Sequence, residues 1–278
     1  VTLLQQPPKA SDFAQILRQE RRRRYSLWRL LRSGFWGALG VAILVMAVHT
    51  AEIDPQQFWQ RLPTVSQWLQ QLFPPDFSEL PNFLVAIWET LAIAIVGTGA
   101  AMLVALPFAL CVARNTTPNR WLATGLRSFL NLLRGIDTAI FALFFVSIVG
   151  LGPFAGVLGV ACHTAGSMAK LYGEVLESIP PEPIEAIEVT GSDRLRTFAF
   201  AVFPEALPGL VGISLYLWEF NVRSSVILGI VGAGGIGYEL LVSLKLLDFP
   251  RLATILILIL IMVSLIDALS AYLRRRLQ

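Results

Sequence analysis

Apolar residues dominate six stretches of the chain, residues 34–51, 82–113, 129–151, 154–176, 207–231 and 252–273, with polar and charged residues collected between them. Each is near the ~20 residues that an α-helix needs to cross a hydrocarbon core. The pattern predicts an all-α membrane protein with six transmembrane helices. The second stretch is longer than a bilayer requires and contains Pro107, which removes one backbone hydrogen bond and predicts a tilt or kink. In the fourth, Ala161, Ala165, Ala169 and Gly173 recur every four residues, and Gly152 and Gly156 form a GxxxG. Such a smooth strip lets another backbone approach, so this helix is expected at the centre of a bundle.

Composition agrees: over 278 residues, 55% hydrophobic against 15% charged excludes an ordinary soluble domain. The arginines set a topology. Arg18, residues 21–24, Arg29 and Arg32 precede the first span, and residues 274–276 follow the last. By the positive-inside rule both termini are cytoplasmic, as are the loops carrying Arg114 with Arg120 and Arg194 with Arg196. The segment 52–81, with one arginine, four acids and a mixture of Trp59, Trp68, Phe58 and Phe73 with glutamines and prolines, belongs at the outer interface. Three regions result: a basic tail, 1–33, whose Leu27, Trp28, Leu30 and Leu31 suit an interfacial helix; the first span with its outer segment, 34–81; and a core, 82–278. The run "RQERRRR" stands just before a span, where basic residues anchor topology or meet anionic lipid, so no nucleic-acid partner is expected. Cys111 and Cys162 lie inside spans without metal-ligand spacing, and no nucleophile with a base is visible. Neither a catalytic nor a metal site is predicted.

The stretch "LGIVGAGGIGYEL", residues 228–240, spaces Gly232, Gly234 and Gly237 as in the dinucleotide fingerprint. It follows a membrane span instead of a strand and falls on the outer side. The better reading is a bend at Gly232, Gly234, Gly235 and Gly237, since glycine tolerates positive φ. Backbone N–H groups there could meet an anion, or the turn could hold nothing.

Charges inside the spans each need a partner or water, because one at helix centre costs ~2.5 to 3.5 kcal/mol even on the lenient insertion scale. Glu219 and Arg223 are four apart, Arg134 and Asp137 three apart, and Lys170 and Glu174 four apart. These pairs either neutralise each other or line a path for an anion. Arg134, Asp137, Glu219 and Arg223 are the candidates for such a path. Glu89 and His163 have no partner nearby in sequence.

Residues 180–204, "PPEPIEAIEVTGSDRLRTFAFAVFP", predict a cytoplasmic hairpin. Pro180, Pro181 and Pro183 suit a helix start, Ile184 and Ile187 give an apolar side, and Gly191 ends the helix in a left-handed cap. Ser192 is placed to cap a second helix, with Leu195, Phe198 and Val202 on one face before Pro204 interrupts it.

Glu185, Ala186, Gly191 and Pro204 match, in spacing at every step, the EAA signature of ABC importer permeases, with Ile187, Ala201 and Phe203 replacing its other apolar members. Together with "LRGIDTAIFALFFV", "GLGPFAGVLGVACHTAGSMAKLYGEVLESI" and "YLWEFNVRSSVILGIVGAGGIGYEL", the chain from about Asn82 onward resembles the phosphonate importer permeases, a branch that also serves phosphite and related oxyanions. The resemblance implies the transmembrane fold of a type I importer in the bacterial inner membrane. It implies a homodimer, two cytoplasmic ABC ATPase subunits holding ATP and Mg under hairpins that carry Glu185, Ala186, Gly191 and Pro204, and a periplasmic or lipid-anchored solute-binding protein docking outside. The solute would be a phosphonate or a related phosphorus oxyanion. Consistently, the chain has no GxxxxGK[ST] phosphate loop with which to hydrolyse ATP itself. An importer permease for methionine or another oxyanion, and a non-transporting membrane scaffold or sensor, remain open.

Overall fold

The computed structural model describes Trp28 and residues 32–52, 54–113 and 120–277; the rest of the basic tail, its expected interfacial helix and Arg114 lie outside them. Contacts divide the chain into two units, Val1–Ser66 and Gln67–Gln278. The first holds α1 (Arg32–Thr50), an apolar helix of 19 residues with no buried side chain. Asp54 opens α2 (Pro55–Gln71), its carboxylate accepting from the N–H groups of Gln56 and Gln57 at 2.9 and 3.2 Å.

The second unit is built from α3 (Leu80–Val112), α4 (Arg120–Gly135), α5 (Thr138–Val149), α6 (Pro153–Glu177), α7 (Pro181–Glu188), α8 (Arg194–Thr197), α9 (Phe203–Leu228), α10 (Ile236–Leu246) and α11 (Phe249–Leu277), with no strand among the described residues. Four single helices are long and apolar enough to cross a membrane: α1, α3, α11, and α9 with the π-helical turns at its two ends. The bent pair α4–α5, if counted as one broken span, would make a fifth. The sixth expected span, α6, has 25 residues but is diluted by glycine, serine, threonine, His163 and Lys170, and protein covers most of its surface.

α6 is the centre of the unit, packed on α3, α4, α5 and α9, as its small-residue strip leads one to expect. A Cβ on Gly97 would lie 2.7 Å from the Val160 side chain, and one on Gly156 3.0 Å from Ala233, so the helices meet nearly backbone to backbone. Lipid offers no hydrophobic drive for helix association, and close packing of this kind supplies the attraction. α3 continues unbroken through Pro107.

A buried polar cluster fixes the register of α3, α6 and α9. Asn221 of α9, with no exposed surface, donates to Thr98 Oγ1 of α3 at 2.8 Å and accepts from Thr164 Oγ1 of α6 at 3.1 Å. Nearer α7, Tyr172 and Ser214 share a hydrogen bond of 2.6 Å. Interhelical bonds of this kind contribute about 0.6 to 1.7 kcal/mol each, and sliding any one helix would strand a polar group in an apolar interior.

The third expected span is where the structure departs most from the sequence reading. Residues 129–151 do not form one helix; α4 and α5 meet at 85°. Asp137 adopts an extended conformation and its Oδ1 accepts from the Ala139 N–H at 2.8 Å, capping α5. A residue that caps a new helix cannot continue the old one.

Candidate functional site

The hairpin after α6 opens at Pro180, and Pro181 takes the first helical position of α7, where a missing N–H costs nothing. Gly191 adopts φ +77°, the left-handed conformation expected of it, and its N–H reaches the Glu188 carbonyl at 2.9 Å. Ser192 does not cap α8. Its hydroxyl turns back to the Ile187 carbonyl at 3.0 Å, and Asp193 accepts from the Arg196 N–H instead. Pro204 likewise does not interrupt the second helix. α8 runs through a π-helical turn, Phe198–Val202, into α9, with the Phe203 N–H bonded to the Phe198 carbonyl. The wider turn absorbs the proline, which has no N–H to offer.

Ile184 and Phe198 pack against the core cluster that contains Leu176 and Val202, so the hairpin is seated on the membrane-spanning body. Glu185 and Ala186 face solvent, and Val189, which the sequence reading did not single out, is 88% exposed at the tip. A seated base with an exposed, partly apolar tip suits docking to another protein.

The Glu219–Arg223 ion pair forms, and it is half of a larger cluster. Arg223 also reaches Asp267 of α11 at 3.3 Å, and Arg274 of α11 reaches Glu219 at 3.1 Å. Glu219 is nearly enclosed, its side chain 13% exposed, whereas Arg223 is about half exposed. Asn221 lies between them in sequence but on the opposite face of α9, so one helix carries the buried polar cluster on one side and the charges on the other. Asp267 and Arg274 stand some fifty residues away, beyond the reach of any i, i+4 rule.

Arg134 and Asp137 do not pair, because Asp137 is engaged as the α5 cap; both are exposed, at the two sides of the break. Lys170 and Glu174 do pair, at 3.6 Å. They line a cavity of about 240 Å³ together with Arg127, Asn131 and Glu177. Arg127 closes one wall: it donates to the Val112 carbonyl at the end of α3 and to Glu177 at 2.7 Å. Two cations facing two carboxylates give this cavity no preference for an anion.

At the glycine bend, Gly232, Gly234 and Gly235 have φ values of +101°, +80° and +71°. The N–H groups that open α10 are not left for a phosphate. Glu89 of α3 accepts from the Gly235 N–H at 3.0 Å, and Thr90 from the Ile236 N–H at 2.9 Å. These two residues satisfy the start of α10, which also gives Glu89 the partner that its sequence neighbourhood lacks. Gly237 is not part of the bend but lies in α10, where a Cβ would stand 1.8 Å from the Val226 carbonyl oxygen of α9. The fingerprint spacing thus comes from a tight helix–helix turn.

Residues 105–278 match the family described as binding-protein-dependent transport system inner membrane component. The chain is 42% identical to the putative phosphite transport system permease protein HtxC of Stutzerimonas stutzeri, over 84% of this chain and 83% of that one. It is 35% identical to the phosphite transport system permease protein PtxC of the same organism, over 87% and 90%. It is 38% identical to the phosphate-import permease protein PhnE of Mycolicibacterium smegmatis, over 90% of this chain and 47% of that one. Among solved structures, an inward-facing form of the MetNI methionine ABC transporter superposes with a TM-score of 0.64 at 28% identity, over 72% of this chain and 99% of that one. With six in ten of its residues inside the family match and its helices arranged as in a solved importer, the chain belongs to the inner membrane permease components of binding-protein-dependent ABC transport systems.

Proposed function

We propose that this chain is the permease of an ATP-driven importer for phosphite, phosphonates or closely related phosphorus oxyanions. Two copies would form the path, two ABC ATPase subunits would bind ATP and Mg beneath the hairpins, and a solute-binding protein would deliver the anion from outside. Both termini and the hairpin tip would face the cytoplasm. The observation that carries the reading is similarity over more than four fifths of the chain to permeases named for phosphite transport. The seated hairpin with exposed Glu185, Ala186 and Val189 supports an ATPase contact at that end. Uptake by the complex reconstituted with its ATPase and binding protein tests the substrate. Phosphite or methylphosphonate is expected to drive ATP-dependent uptake and methionine is not; uptake of methionine alone would overturn the reading.

Within that function the α9–α11 charge cluster supplies a fixed positive group at Arg223. The variant Glu219→Gln with Arg223→Gln leaves Asp267 and Arg274, opposite charges on one helix, so the net charge of the cluster is unchanged. It is expected to insert and to assemble with its ATPase. Oxyanion uptake should nevertheless fall on the order of tenfold, equivalent to about 1.4 kcal/mol in the barrier, while Arg223→Lys retains most of it. Wild-type uptake by the double variant would make the cluster a structural bridge.

A further inference from the structure

One face of α6 presents Gly159, His163 and Gly166 at positions i, i+4 and i+7, and the whole α4–α5 bend lies on that face. At one end, a Cβ on Gly159 would stand 2.9 Å from the Ala142 backbone nitrogen of α5. At the other, a Cβ on Gly166 would stand 2.9 Å from Leu133, 3.0 Å from the Leu130 carbonyl and 3.1 Å from the Arg134 nitrogen of α4. Both half-helices therefore rest on α6 nearly backbone to backbone. Between the two glycines, His163 Nδ1 is 2.8 Å from the carbonyl oxygen of Ile136, at the break itself.

That carbonyl is one of those the break orphans. In an unbroken helix the Ile140 N–H would bond to Ile136 O; here it bonds to Asp137 O at 3.1 Å. An unpaired carbonyl within the apolar zone would favour closing the bend back into a continuous helix. A carbonyl only accepts, so Nδ1 carries the hydrogen and the imidazole replaces the bond that Ile136 has lost. Arg134 and Asp137 flank Ile136 closely in the chain, and their placement follows from the bend.

We infer that His163 is a positioning residue for transport: its Nδ1–H holds the α4–α5 bend open and thereby fixes Arg134 beside the translocation path. The inference rests on the proposed oxyanion import and adds the residue that sets the path geometry. Gly159 and Gly166 give the two half-helices their seats, and His163 spans the gap between them.

The test uses the reconstituted complex with phosphite and methylphosphonate as probes. The amide nitrogen of His163→Asn lies near the place of Nδ1, whereas that of His163→Gln lies near Nε2. Asn is expected to keep uptake within about threefold of wild type, and Gln and Ala to lose tenfold or more, as a reacting geometry displaced by about an ångström does. Because His163 acts through Arg134, adding His163→Ala to Arg134→Gln should cause no further loss. Equal loss in Asn, Gln and Ala, fully additive losses with Arg134→Gln, or wild-type uptake by His163→Ala would each overturn the inference. A spin-label distance between Ser128→Cys and Ser147→Cys, measured in a background without Cys111 and Cys162 and with labelled permease diluted by unlabelled, reads the bend without transport. It should be unchanged in His163→Asn and altered in His163→Gln; an unaltered distance in Gln overturns the inference. If the wild-type complex carries neither probe, the substrate reading fails, and the label distance still decides the role of His163.

Discussion

Replacing Gly237 by alanine is expected to lower the thermal stability of the permease and its abundance in the membrane several-fold, although alanine is the better helix former by about 1 kcal/mol. The added Cβ would lie 1.8 Å from the Val226 carbonyl oxygen and 3.1 Å from the Gly229 Cα, and none of these backbone atoms can rotate away as a side-chain tip would. Overpacking of a core typically costs 1–3 kcal/mol, and a clash with backbone belongs at or above the upper end. Against a total stability of ~5–15 kcal/mol, a loss of about 3 kcal/mol should lower the thermal midpoint of the purified protein by roughly 6–12 °C. The control is Gly212→Ala on α9, whose Cβ would meet nothing within 4 Å and which should leave yield and midpoint alone. A Gly237→Ala protein as stable as wild type would mean that α9 and α10 do not touch in this way.

Gly191→Pro should act by another route and spare the membrane body. Nothing lies within 4 Å of a Cβ at Gly191, so space is not the constraint; φ +77° is, and proline is fixed near −65°. The hairpin must then redirect its tip, and the N–H that reached the Glu188 carbonyl is lost. Insertion and yield are expected to stay near wild type, while the ATPase no longer co-purifies with the permease and uptake is abolished. Ala186→Glu checks the same contact without touching the backbone, since Ala186 is exposed in the isolated chain. A desolvated, unpaired charge there, costing about 3 kcal/mol, should weaken ATPase binding roughly 100-fold. Substrate-stimulated ATP hydrolysis and uptake at wild-type levels in both variants would remove the hairpin from the coupling route.

These two glycines show what was legible in the sequence. Gly191 was legible because its demand is local: a helix ends, the chain reverses, and the φ/ψ requirement belongs to that one residue. Gly237 was noticed for its spacing, but its reason is a neighbour eleven residues earlier on another helix, which only the tertiary structure supplies. The same division separates the charges. Glu219 with Arg223 and Lys170 with Glu174 were readable at i, i+4, whereas Asp267 and Arg274 enter the cluster across a helix–helix crossing. The break within 129–151 is invisible to hydropathy, which averages over it, and the i, i+3 spacing of Asp137 from Arg134 suggests a charge pair where the carboxylate serves as a cap. His163 and Glu89 had no visible partner for the same reason: Ile136 and Gly235 lie 27 and 146 residues away along the chain.

The bond between Glu89 and Gly235 bears on how permeases of this kind can be recombined. The carboxylate, Thr90 and the three positive-φ glycines work as one closure, yet they are encoded at two distant places. A chimera that takes α3 from one relative and α9–α10 from another will match hydropathy and length throughout, and can still separate the acid from the turn that it closes. Crossover points chosen after α10, so that both halves of the closure travel together, should yield more folded hybrids than crossovers placed in the segment between α6 and α7, which look safer because they fall outside every span.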